Sequence, residues 1–94
     1  MKDEPMQASR TVQIVNRAGL HARPAAEVVK LAGRFESEVW LTKDGMEVNG
    51  KSILGVLMLA AEHGSDLTIR CEGTDADDAV EALAALVARG FEED

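Results

Sequence analysis

His21 sits in a setting that points to chemistry. It lies in the string Asn16-Arg17-Ala18-Gly19-Leu20-His21-Ala22-Arg23-Pro24, with a glycine two residues before it and a proline three after. The first N–H groups of a helix have no internal partner and point outward. Their dipoles stabilise an anion such as phosphate. Arg23 adds a planar cationic fork that matches phosphate oxygens. Pro24 fits the first turn, where its missing N–H costs nothing. Imidazole has a reference pKa near ~6.5, so a neutral nucleophilic nitrogen is on offer at physiological pH. These parts suit a phosphoryl group that arrives on nitrogen and is held briefly. The same position also suits a histidine that only caps the helix, and the spacing leaves both readings open.

Ser52 is the second candidate. It follows the turn signal Asn49-Gly50 and Lys51 and opens a short apolar segment. As an N-cap its hydroxyl would accept a free N–H and contribute about 1 kcal/mol. A phosphate there would add about −1.5 to −2 charge, repelling an acidic partner or attracting a basic one. The segment that follows carries Ile53, Leu54, Val56, Leu57, Met58 and Leu59 nearly all round the helix. One sheet face cannot bury them all, so an exposed apolar patch is expected. His63, before Gly64, reads as a surface residue, and Cys71 alternates onto a buried face with Leu67 and Ile69. A lone cysteine forms neither an internal disulfide nor a metal site. No histidine pair or acidic cluster has ligand spacing, and no glycine-rich nucleotide loop is present. Neither a metal nor another cofactor is expected.

These residues need elements to position them. Residues 10–15 alternate as a half-buried strand, with Val12 and Ile14 on one face. Residues 22–34 take helical spacing, with Ala25, Val28, Val29, Ala32 and Phe35 on one stripe. Residues 38–43 alternate, Asp44-Gly45 is a hairpin turn, and residues 46–48 pair back. Trp40 falls opposite Val39 and Leu41, on the open face. A helix over residues 52–61 is expected to end near Gly64 as a left-handed position. Residues 67–72 form a fourth strand. Thr74 and Asp77 resemble a capping box for a last helix, whose core stripe is Ala79, Leu83 and Leu86 with Val80 and Val87 beside it. The order is that of an α+β two-layer, open-faced sandwich. Strand pairing does not follow from the pattern, and a ferredoxin-like sheet fits the first six elements as well.

Length and charge narrow the classes. Ninety-four residues suit one domain, here residues 1–94, with 1–7 and 91–94 expected as flexible ends. No apolar run reaches the roughly 18 residues of a membrane span, and residues 1–7 lack a signal-peptide core. A cytoplasmic location is expected, in keeping with the single cysteine. The net charge of −7 and the scarcity of aromatics argue against nucleic-acid binding.

Taken together, G-L-H-A-R-P-A-A at residues 19–26, the Asp44-Gly45 turn, V-N-G-K-S-I-L-G-V-L at residues 48–57 and the final helix resemble the HPr family. That family comprises the histidine-containing phosphocarriers of the bacterial phosphotransferase system. The resemblance implies a four-stranded antiparallel sheet with three helices on one face, and a monomer. It implies that phosphorylated enzyme I, charged from phosphoenolpyruvate, passes a phosphoryl group to Nδ1 of His21. Enzyme IIA components of sugar transporters then receive it. Arg23 would neutralise the phosphate, the Ala22 and Arg23 amides would cradle it, and Pro24 would fix the first turn. Leu20, Ile53, Leu54, Val56 and Leu57 would form the partner face. In many members a serine at the Ser52 position is phosphorylated by an ATP-dependent HPr kinase/phosphorylase. A nitrogen-type regulatory phosphorelay would use nearly the same site. A regulatory binding module acting through Ser52 is a reading from another class, and it leaves His21 without a purpose.

Overall fold

The computed structural model describes residues 6–93. The expected flexible residues 1–5 and 94 lie outside the described residues. The elements run β1 (Gln7–Gln13), α1 (Ala22–Ala32), β2 (Glu38–Lys43), β3 (Met46–Asn49), α2 (Ile53–Leu59), β4 (Asp66–Glu72) and α3 (Ala76–Ala88), followed by a 3₁₀ turn at Gly90–Glu92. The strands form one antiparallel sheet in the order β1-β4-β2-β3. This is the open-faced sandwich expected. It also removes the ferredoxin-like alternative, because β1 is an edge strand bonded to β4 alone.

Alternation decides which sheet face is covered. Leu67, Ile69 and Cys71 on β4, with Val39 and Leu41 on β2, point inward and are fully buried. Burial pushes the Cys71 thiol up to about 11. The outward residues are polar: Thr11 and Thr42 both stand opposite Thr68, and the Thr11 and Thr68 hydroxyls meet at 2.9 Å. Trp40 is half-buried on this face beneath the Arg70 guanidinium, 5.8 Å from its ring centre. The helices lie on the inner face. α1 contributes Ala25, Val28 and Ala32, and α3 contributes Ala79, Val80, Leu83, Leu86 and Val87.

Several boundaries differ from expectation. β1 begins at Gln7 and ends at Gln13, and α1 stops at Ala32 rather than Arg34. α2 ends at Leu59, and its C-cap Ala60 takes the left-handed conformation at φ 50°. Gly64, expected in that role, is also left-handed but belongs to the turn into β4, where its N–H donates to the Ile14 carbonyl. Thr74 does not cap α3. The N-cap is Asp75, and its side chain makes no cap bond. Its carboxylate instead accepts from the Glu36 and Ser37 amides and the Ser37 hydroxyl. A charged acceptor gains more from three donors across the α1–β2 connection than from one at a helix end. Those bonds, the Ser37 hydroxyl foremost, hold Asp75 below the usual carboxylate range.

Most of the C-terminal stretch 91–94, expected as a flexible end, is described, and it continues the 3₁₀ turn at Gly90–Glu92. Gly90, Phe91 and Glu92 have φ of 66°, 57° and 61°, and they turn the chain back toward the loop after β1. Phe91 is buried, and burying a side chain of that size offsets about 1.5–3 kcal/mol of the turn's unfavourable backbone.

Candidate functional site

The loop between β1 and α1 is docked onto the far end of α2. The Leu20 amide donates to the Ala61 carbonyl at 2.8 Å, and the Gly19 amide donates to the Asn16 carbonyl at 3.2 Å. Gly19 has φ +71°, and a Cβ there would lie 2.6 Å from the Ala61 oxygen, so only glycine fits. This close approach buries Leu20, at 3% exposure, and projects His21 outward.

His21 is the N-cap residue of α1, with extended backbone (φ −80°, ψ −168°), yet its side chain makes no cap bond. Of the two readings the residues allowed, capping therefore has no support in the geometry. The His21 carbonyl accepts the first helical bond, from Ala25 at 2.9 Å. Pro24 has no N–H. Among the described residues, nothing accepts from the Ala22 and Arg23 amides, which are left as two outward donors at the helix end. Arg23 is exposed, and its guanidinium makes no hydrogen bond or ion pair among the described residues. A shallow cleft beside His21 is bounded by Arg17, Leu20, Ala60, Glu62 and His63. Chemically, an exposed imidazole, two free amides and an uncommitted guanidinium can hold a phosphoryl group on a ring nitrogen.

Two further residues complete the site. His21 Nε2 lies 2.9 Å from Glu93 Oε1. Buried Asn16 donates from Nδ2 to the same oxygen at 2.9 Å and to the Gly19 carbonyl at 2.8 Å. These bonds, His21 first and Asn16 next, hold the Glu93 carboxyl below its ordinary value, and the nearby Arg23 charge adds to them. Nδ1 of His21 has no partner among the described residues. Residue type and local spacing alone single out neither Asn16 nor Glu93 as part of this site. A signal was present: Gly90-Phe91, a glycine and an aromatic immediately after a helix, marks a chain reversal with its own apolar anchor.

Ser52 is the N-cap of α2, and its hydroxyl accepts from the Gly55 amide at 3.1 Å. It does not adjoin His21. The His21 loop meets the C-terminal end of α2, at Ala60 and Ala61, and seven helical residues, about 10 Å, separate that end from Ser52. Between them Leu54 and Met58 are 69% and 68% exposed, with Ile53 and Leu57 less so. Two residues expected on the partner face are not on the surface. Val56 is completely buried, because it is turned inward with Leu59 from α2, and Leu20 is buried where its own loop docks onto the end of that helix. Among the described residues, no three metal-ligating side chains gather, and no helix is long and apolar enough to cross a membrane.

Residues 8–89 match the family described as PTS HPr component phosphorylation site. The phosphocarrier protein HPr of Treponema pallidum is 47% identical over 85 residues, spanning 90% of this chain and 97% of that one. The crystal structure of HPr-C-His from Thermoanaerobacter tengcongensis superposes with a TM-score of 0.89 at 40% identity, covering 93% of this chain and 98% of that one. The Bacillus subtilis catabolite repression protein Crh, solved as a dimer with a swapped domain, gives a TM-score of 0.71 at 46% identity, over 88% and 92% of the two chains.

Proposed function

The chain belongs to the HPr family of phosphocarriers, and on that premise we propose that it accepts a phosphoryl group from phosphorylated enzyme I on Nδ1 of His21 and passes it to enzyme IIA-type acceptors. The observation that carries this reading is the state of the α1 N-terminus. His21 is exposed and free of a capping role, Nδ1 is unengaged, and the Ala22 and Arg23 amides lack acceptors among the described residues. Arg23 neutralises the arriving charge, and Pro24 closes the first turn without competing for the phosphate. The protein works as a carrier in the cytoplasm and as a monomer, with residues 1–94 forming one unit. Leu54, Met58, Ile53 and Leu57 supply the apolar face on which donor and acceptor dock in turn.

The test is labelled phosphoenolpyruvate with enzyme I and the full chain. The expected product is an acid-labile, base-stable label that His21→Ala abolishes. A wild-type chain that takes no label overturns the reading. Chasing the labelled protein with sugar-type and nitrogen-type IIA acceptors separates sugar transport from a regulatory relay, whose sites would be alike.

A second reading concerns Ser52. Its hydroxyl is half-buried, already at a helix N-terminus, and followed by the exposed apolar residues of α2. Phosphorylation there by an HPr kinase would alter the docking face while leaving His21, at the other end of α2, chemically intact. ATP and the kinase should then give an acid-stable label absent from Ser52→Ala. A regulatory binding module acting through Ser52 alone is the rival, and a His21-dependent label decides against it.

A further inference from the structure

Glu93 lies past the stretch that matches the family, residues 8–89. Its place beside His21 is built by this chain's own C-terminal turn. Three successive residues, Gly90, Phe91 and Glu92, have left-handed backbone. Residues other than glycine rarely adopt it, and a run of them persists only where the surroundings hold it. Here Phe91 is buried, Gly90 faces Val15 and Asn16, and the Glu93 amide donates to the Gly90 carbonyl at 3.0 Å. The turn brings the Glu93 carboxylate onto both Asn16 and His21.

Asn16 fixes the other side of the contact. It is 1% exposed, and Nδ2 donates to Gly19 and to Glu93, while Oδ1 has no partner among the described residues. Rotating the amide would give Oδ1 no donor from the carboxylate and would forfeit both Nδ2 bonds. The amide is therefore set by the carboxylate it faces. Asn16 in turn ties Glu93 to the loop that carries His21.

We propose that Glu93 is a positioning residue for phosphoryl transfer: its carboxylate accepts the Nε2–H of His21, fixes that tautomer, and leaves the Nδ1 lone pair turned to the incoming phosphorus. This rests on the carrier reading of His21 given above. A carboxylate bonded to one imidazole nitrogen sets the tautomer and aim of the other, as in other carboxylate–histidine pairs. In the transfer, the Nδ1 lone pair forms the P–N bond. The bond from phosphorus to the donor's leaving atom breaks, and its electron pair stays with the donor protein. The ring keeps its Nε2 proton and gains a positive charge, which the carboxylate balances at 2.9 Å. Onward transfer returns the electron pair to Nδ1 and restores the neutral Nε2–H ring. A carboxylate on the far nitrogen thus favours the charged ring without occupying the position the phosphate takes.

The experiment uses the full chain as wild type, Glu93→Gln, Glu93→Ala and, as a neighbouring charge control, Glu92→Gln. Nitrogen-15 spectra of the His21 ring report the tautomer, and single-turnover labelling from phosphorylated enzyme I reports the rate. Wild type and Glu92→Gln should hold the Nε2–H form. Glu93→Ala should show both tautomers and label about tenfold more slowly, and Glu93→Gln should label slowly as well because the charge is gone. Unchanged tautomer populations and rates in both Glu93 variants overturn the proposal. So does faster labelling, which would make the carboxylate an obstacle. If the wild type takes no label at all, the carrier reading falls. The tautomer spectra then judge the Glu93 contact independently: the same populations with and without Glu93 overturn it.

Discussion

At His21 one ring nitrogen is engaged and the other is open, and the charges around it differ in what they do. Arg23 reaches solvent with no partner among the described residues, so removing it should leave the fold alone. Arg23→Ala is expected to slow transfer from phosphorylated enzyme I roughly 10²-fold, the scale of losing one donor to a developing anion, with no change in thermal midpoint. Unfolding would instead make Arg23 structural. Gly19 is the opposite case. Its positive φ and the 2.6 Å approach of a Cβ to the Ala61 oxygen mean that Gly19→Ala strains the backbone and prises the loop from α2. A loss of about 1–3 kcal/mol is expected in urea unfolding, together with slower labelling, because the loop carries His21. Of this site, His21, Arg23 and Pro24 were legible from residue type and order. Asn16 and Glu93 were not, because they meet through a reversal of the chain 77 positions apart, and no local period encodes that.

Among the elements, α2 divides its residues most sharply between folding and docking. Val56 is fully buried, whereas Leu54 and Met58 are largely in solvent. Val56→Ala should therefore cost roughly 2 kcal/mol, read as a thermal midpoint lower by about 8–16 °C. Leu54→Ala and Met58→Ala should stay within about 0.5 kcal/mol of wild type yet raise the concentration of enzyme I needed for half-maximal labelling. If both exposed variants label normally, the docking face lies elsewhere. The apolar richness of this helix was plain in the sequence. Which residues turned inward, Val56 and Leu59, was not, since a helix apolar on every side has no stripe to read. The strands were easier. Alternation on β2 and β4 named the buried side chains correctly, while the order β1-β4-β2-β3 depends on long-range pairing that alternation does not carry.

In the whole molecule, acid should loosen the fold through the clamp between its layers. Asp75 binds the α1–β2 connection from the start of α3, and its carboxyl is held below the ordinary carboxylate value near ~3.9. A depressed folded pKa means the stabilisation is complete above the unfolded value and is lost as pH falls through the lower folded one. Urea midpoints followed from about pH 6 down to about pH 2 should drop on the acid side, and less steeply in Asp75→Asn, which should already be weaker at neutral pH. Equal acid slopes in the two proteins would remove Asp75 as the cause.

The bare face of the sheet has a use of its own. Trp40 is the one tryptophan in the chain, and it lies under Arg70 on the side away from the helices that carry His21 and Ser52. Its emission should follow the integrity of the sheet and stay unmoved when either side chain is modified. An emission that behaves this way would be an optical gauge of folding separate from the proposed chemistry at His21 and Ser52, so that stability and labelling could be followed in one cuvette.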